Sequence, residues 1–176
     1  MLKKIVIGAV VALVGFLAYV QTRPSTFRYE RSGVIAASPE KIFPYISQLK
    51  LGSEWSPYEK KDLNMKKTLS GPAEGAGQVM DFYGNQEVGA GRLEVLKVVS
   101  NERVEIKLMM TEPVVAENLI EYTLTPEGDG TRFTWALSGD GGFLTQLISV
   151  FIDCEKMVAG DFEKGIASLK AVIEAK

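Results

Sequence analysis

The sequence predicts an α+β fold: a curved antiparallel sheet wrapped around one long C-terminal helix, preceded by an N-terminal helix able to cross a membrane. Three observations predict it. Apolar residues recur every three or four positions across residues 143–175. Short alternating segments separated by turn residues fill residues 63–138. Residues 5–20 carry no charge and no strongly polar group. A spacing of three and four marks one helix face, whereas strict alternation marks a half-buried strand.

At 176 residues, with 46% hydrophobic residues, the chain can bury a sizeable core. The net charge of −2 and the absence of a basic stripe give no reason to expect nucleic acid as a partner. One cysteine, Cys154, excludes an internal disulfide framework and reads as a small core residue inside the long helix. The chain has no histidine. It therefore lacks the commonest metal ligand and the commonest base near neutral pH, and Ser-His-Asp and Cys-His chemistry is excluded. No metal and no cofactor is expected. Any acid-base chemistry would fall to Asp, Glu, Lys or Tyr.

In chain order, Lys3 and Lys4 precede the apolar run, and Gln21-Thr22-Arg23-Pro24 ends it. At ~1.5 Å per residue the run is about 24 Å long, a little short of a ~30 Å hydrocarbon core, though snorkelling Lys4 and Arg23 could help it span. Three readings stay open: a retained single-pass anchor (residues 1–23), a cleaved signal peptide, and a buried soluble helix. Ala18-Tyr19-Val20 makes a poor signal cleavage site. Lys3 and Lys4 favour an anchor whose soluble domain, residues 24–176, lies outside the cytoplasm, in the periplasm. Arg23, Arg28 and Arg31 pull the other way.

In residues 27–36, Phe27, Tyr29, Arg31 and Gly33 alternate with Arg28, Glu30 and Ser32, as in a strand. Ser38 caps a short helix that opens with Pro39 and Glu40 and buries Ile42, Phe43 and Ile46. A second short helix or turn covers residues 47–52. Residues 51–62 read as an irregular stretch in which Trp55 and Tyr58 flank Pro57, either plugging the core or lining an opening. Six further strands follow, at 63–69, 77–83, 89–99, 103–111, 115–125 and 131–138, joined by short turns as an antiparallel meander. In the last three, Val104, Ile106, Leu108 and Met110 share a face, as do Ile120, Tyr122 and Leu124, and Phe133, Trp135 and Leu137. The opposite faces are polar, so one side of the sheet is wet and the other meets the helix. That helix is expected to bury Leu144, Leu147, Ile148, Phe151, Val158, Phe162, Ile166, Leu169, Val172 and Ile173. Gly160 either kinks it, permits close packing, or marks a break between two helices.

The order of these elements is similar to that of the START-like (SRPBCC) superfamily, in particular its polyketide cyclase/dehydrase and lipid-transport branch. The residues that carry the resemblance are Ser38-Pro39-Glu40-Lys41-Ile42-Phe43, Trp55-Ser56-Pro57, Gly75-Ala76-Gly77, and the run from Phe162 through Gly165 to Lys170. It spans residues 27–175. Each motif is short, and their order gives the match its specificity. The resemblance implies a helix-grip fold with a seven-stranded antiparallel sheet, two small helices closing one end, and a cavity for apolar ligands between sheet and helix. It implies no catalytic residues.

Three functions follow as expectations. The first is binding or transport, at the membrane, of a hydrophobic small molecule or lipid, with Trp55, Met110, Ile120, Tyr122, Phe133, Trp135 and Phe162 lining the pocket. The second is a cyclase or dehydratase using a desolvated carboxyl such as Asp81, Glu94 or Glu117, or the Tyr122 hydroxyl. The third is a protein-interaction domain with a filled core. Partners are thus an apolar ligand and, through residues 5–20, the membrane.

Overall fold

The computed structural model describes residues 2–151 and 153–175, apart from the Leu144 side chain. Helix α1 (Leu2–Gln21) leads into β1 (Thr26–Ile35) and α2 (Pro39–Ser47). A 3-10 turn (Leu49–Leu51) and two one-turn helices, α3 (Gly52–Trp55) and α4 (Pro57–Lys61), follow. Six strands come next: β2 (Lys66–Ser70), β3 (Val79–Tyr83), β4 (Ala90–Val99), β5 (Arg103–Glu112), β6 (Ala116–Glu127) and β7 (Gly130–Asp140). Helices α5 (Gly142–Ile148) and α6 (Cys154–Glu174) close the described chain. The seven strands form one antiparallel sheet in the order β1-β7-β6-β5-β4-β3-β2. The α+β helix-grip fold expected from the sequence is present.

Local chemistry explains where expectation and structure part. Residues 51–62 are short helices rather than an irregular loop: the Ser56 N–H closes α3 on the Gly52 carbonyl at 2.7 Å, and Pro57 opens α4. Ser38 sits at the α2 N-cap without a side-chain cap bond; its hydroxyl meets the Glu40 carboxylate instead, holding that carboxyl below its ordinary range.

The C-terminal helix is two helices. The Ser149 hydroxyl donates to the Gln146 carbonyl at 2.8 Å, and the Asp153 carboxylate accepts the Lys156 N–H at 3.0 Å, capping α6. Residue 152, and the Leu144 side chain placed on the buried face, lie outside the described residues. Because of the break, the apolar phase of α6 does not carry into α5. Phe151, expected inside, is 71% exposed. Cys154, expected in the core of the helix, stands half-buried at the first position of α6.

The core lies between α6 and the inner sheet face. Ile35, Val104, Leu124, Phe133, Phe162 and Leu169 are at most 2% exposed. On the outer face Glu121 is nearly buried between Arg28 and Arg103. The Arg28 hydrogen bond holds this carboxyl below its ordinary range.

The two glycines of α6 differ in kind. A methyl group at Gly165 would sit 2.5 Å from Trp135 Cζ3 and 3.0 Å from Pro57 Cδ, so Gly165 is where the helix comes down on the sheet. A methyl at Gly160 would meet nothing within 4 Å, and α6 runs unbroken through it. In denaturant unfolding, Gly165→Ala is expected to lose about 1–3 kcal/mol through overpacking. Gly160→Ala is expected to gain roughly 0.5–1 kcal/mol through helix propensity.

Candidate functional site

The inner sheet face is closed at one end and open at the other, and the strand register fixes which is which. Phe133 pairs with Leu124, Trp135 with Tyr122, Leu137 with Ile120, and Gly139 with Asn118. Down β7, Phe133 and Trp135 are buried whereas Leu137 is half-exposed. Down β5, Val104 and Ile106 are buried whereas Leu108 and Met110 are half-exposed. Down β1, Ile35 is buried whereas Tyr29 and Phe27 are half-exposed, their rings stacked at 4.8 Å. All three strands lose cover toward the end where α1 joins the domain.

The closed end is an aromatic cluster. The Trp135 indole stacks on Phe162 at 4.3 Å and 13°. Trp55 stands edge-on to Trp135, Tyr122 and Phe133 at 5.4, 5.8 and 6.0 Å. Tyr58 adds a further edge to Trp135 at 6.3 Å. Trp55 is a plug: 3% exposed, with its indole N–H donating to the Tyr45 carbonyl at 2.8 Å.

Polar groups in this cluster are left over. The Trp135 indole N–H is buried with no hydrogen-bond partner among the described residues. The Tyr122 side chain is also buried, and no hydrogen bond of its hydroxyl joins it to another described residue. Burial pushes the Tyr122 and Tyr58 hydroxyls above the ordinary phenol range, so both stay neutral. A buried donor without an acceptor costs on the order of 1–3 kcal/mol. Behind Tyr58, Lys61 bridges to Asp161 at 2.6 Å and lies 5.2 Å over the Tyr58 ring.

Of the residues expected to form the pocket, Trp55, Tyr122, Phe133, Trp135 and Phe162 come together in this cluster. Ile120 continues the wall beside Leu137, and Met110 stands apart near the open end of β5. The carboxylates considered for acid-base chemistry have other roles. Asp81 is clamped by Arg92 at 2.6 and 3.0 Å, which holds its carboxyl below the ordinary range. Glu117 pairs with Lys107 at 2.8 Å, and Glu94 lies opposite Lys107 on the same outward-facing register.

A cleft of about 650 Å³ opens beside the uncovered end of the sheet, between the start of β1 and the break between α5 and α6. Phe27 and Tyr29 wall one side; Val150, Phe151 and Cys154 wall the other; Arg23 and Pro24 lie at its rim. Burial raises the pKa of the Tyr29 hydroxyl. Sequence reasoning did not find this cleft. The alternation of Phe27 and Tyr29 was visible, but the cleft depends on a helix break that the apolar spacing conceals.

A curled antiparallel sheet gripping a C-terminal helix, with uncovered apolar wall at one end, defines a helix-grip domain of the START-like (SRPBCC) superfamily. The chain belongs to the family described as polyketide cyclase / dehydrase and lipid transport, whose pattern matches residues 26–174. Solved structures share the fold. A protein of unknown function from Staphylococcus aureus, SA2116, is 14% identical, with 85% of this chain and 94% of that one covered and a TM-score of 0.64. Protein CV1439 from Chromobacterium violaceum is 16% identical, with 86% and 98% covered and a TM-score of 0.58. Ara h 8.0201 is 11% identical, with 86% and 99% covered and a TM-score of 0.59. At these identities the likeness shows the fold. Comparison with curated proteins finds no match.

No hydrogen bond joins the Tyr122 hydroxyl to another described residue, so removing it strands no partner there. Tyr122→Phe is expected to shift unfolding free energy by less than about 1 kcal/mol, against ~1–3 kcal/mol for a hydroxyl whose loss strands a buried partner. Chemical denaturation of the purified domain measures the difference.

Proposed function

We propose that this chain is a membrane-tethered domain that binds a hydrophobic small molecule or lipid between the sheet and α6, entering from the end where α1 joins. The observation that carries the reading is the loss of cover along the inner face, where Tyr29, Leu137, Leu108 and Met110 are only partly covered, with the cleft walled by Phe27 and Tyr29 at the same end of the sheet. The family description, which includes lipid transport, supports the class of ligand. Ile120 and Met110 form the wall, and Trp55, Phe133 and Phe162 form the floor against which the ligand stops. The Tyr122 hydroxyl and Trp135 N–H offer donors to an oxygen on the ligand. An ester, acid or quinone-type carbonyl fits that need.

The tether is α1, 20 residues long and exposed along almost its whole length. At ~1.5 Å per residue it measures about 30 Å, the thickness of a hydrocarbon core. Residues 1–23 then form the anchor and residues 24–176 the ligand-binding domain. Lys3 and Lys4 favour an extracytoplasmic, periplasmic domain. A tether beside the mouth keeps an apolar ligand's path through water short.

Native mass spectrometry of residues 24–176 is expected to reveal a co-purifying apolar molecule, and a fluorescent fatty-acid probe should bind the delipidated domain. Met110→Trp, which fills the open wall, is expected to weaken the probe roughly tenfold, about 1.4 kcal/mol. Empty preparations from different hosts, together with no probe binding, would remove the proposal.

A further inference from the structure

We infer that the break between α5 and α6, together with the tip of the β5–β6 hairpin, docks into the acyl-chain border of the bilayer that α1 crosses, turning the cleft toward the lipid. The inference rests on the tethering proposed above and adds an orientation to it. Its first support is a contact: the Phe16 ring of α1 lies 6.1 Å from that of Phe151. Phe16 is five residues before Gln21, the last residue of α1, or ~7.5 Å along the axis. A residue packed at that level lies below the water boundary if α1 spans. The placement is braced by Gln146, whose side-chain amide donates to the Arg23 carbonyl at 2.7 Å.

The second support is the distribution of exposed apolar side chains. Phe143, Phe151 and Met157 are 47%, 71% and 63% exposed around the break, and Val114 and Val115 are 45% and 82% exposed at the hairpin tip. The pairing of Phe27 with Gly139, Gly139 with Asn118 and Met110 with Ala116 places that tip at the sheet end where α1 joins. The turns at the opposite end are polar, with Asn101 and Glu102 between β4 and β5 and Gly128 and Asp129 between β6 and β7. Five exposed apolar side chains gathered at the end of a membrane helix match an interfacial surface.

The occupant is lipid hydrocarbon rather than an anionic headgroup layer. The charges nearest the patch in sequence include Asp140, Asp153 and Glu155, a poor match for acidic lipid despite Arg23 and Lys156. Insertion is therefore apolar and insensitive to lipid charge.

The test reconstitutes the full chain in phosphatidylcholine vesicles with bromine either high on the acyl chains or near their ends. Each variant's emission is read against wild type, whose Trp55 and Trp135 are 3% and 2% exposed. Val10→Trp reports on the span and Phe151→Trp on the docking; Phe143→Trp repeats the docking measurement at a second exposed site. The expected result is roughly twofold quenching of Phe151→Trp by bromine high on the chains, and of Val10→Trp by bromine near the ends. Quenching of Val10→Trp without quenching at 151 or 143 overturns the docking and leaves the tether. An unquenched Val10→Trp overturns the tether and the docking with it.

Discussion

The stacking of Trp135 on Phe162 is the contact from which the shape of the molecule follows. At 4.3 Å and nearly parallel, it fixes α6 over β7. Such a pair contributes ~0.5–1.5 kcal/mol beyond the area it buries. Two glycines permit the approach, one on each partner. Gly165 of α6 leaves room for the indole, and a methyl at Gly33 of β1 would lie 2.7 Å from Ile166 Cγ2. With the helix held here, Trp55, Tyr122 and Phe133 fill the space around the pair and close that end of the grip.

The open end is a consequence of the same arrangement. The larger aromatic cluster fills one half of the inner face. The other half carries Leu108, Met110 and Leu137 with the stacked pair Phe27 and Tyr29, and these are only partly covered. The break between Ile148 and Cys154 separates α5 from the long helix, and α5 packs beside the exit of α1. The cleft, the helix break and α1 thus meet at one end of the domain. A carrier that takes an apolar molecule from a membrane would need this geometry, with a dry mouth near lipid and a rigid stop at depth. The Trp135 N–H, which has no hydrogen-bond partner among the described residues, lies in the aromatic cluster beside Tyr122.

Much of the fold was legible in the sequence because single residues carried strong local signals. Val104 through Met110 and Phe133 through Leu137 alternate cleanly, and the register confirms the shared inner face. The aromatic cluster was legible too, since Tyr122, Phe133 and Trp135 lie on that face and Phe162 on the facing helix. The helix break was not. Apolar residues keep a spacing of three and four across it, so periodicity reads one helix, while the opposing signal, the Asp153 cap, is a single side chain. The cleft was invisible for a different reason. Phe27 is distant in sequence from Val150 and Cys154, and the break brings them to one cleft. Likewise Phe151 could not be recognised as exposed until the phase of α5 was known apart from that of α6.

Methyl NMR during titration with a fatty-acid probe tests the central claim most directly, since it reports which half of the grip takes the ligand. The account predicts that the Met110 and Leu137 methyl signals move with probe concentration while those of Ile35 and Ile42, behind the aromatic cluster, stay fixed. Movement confined to Ile35 and Ile42, with Met110 and Leu137 unchanged, would contradict it.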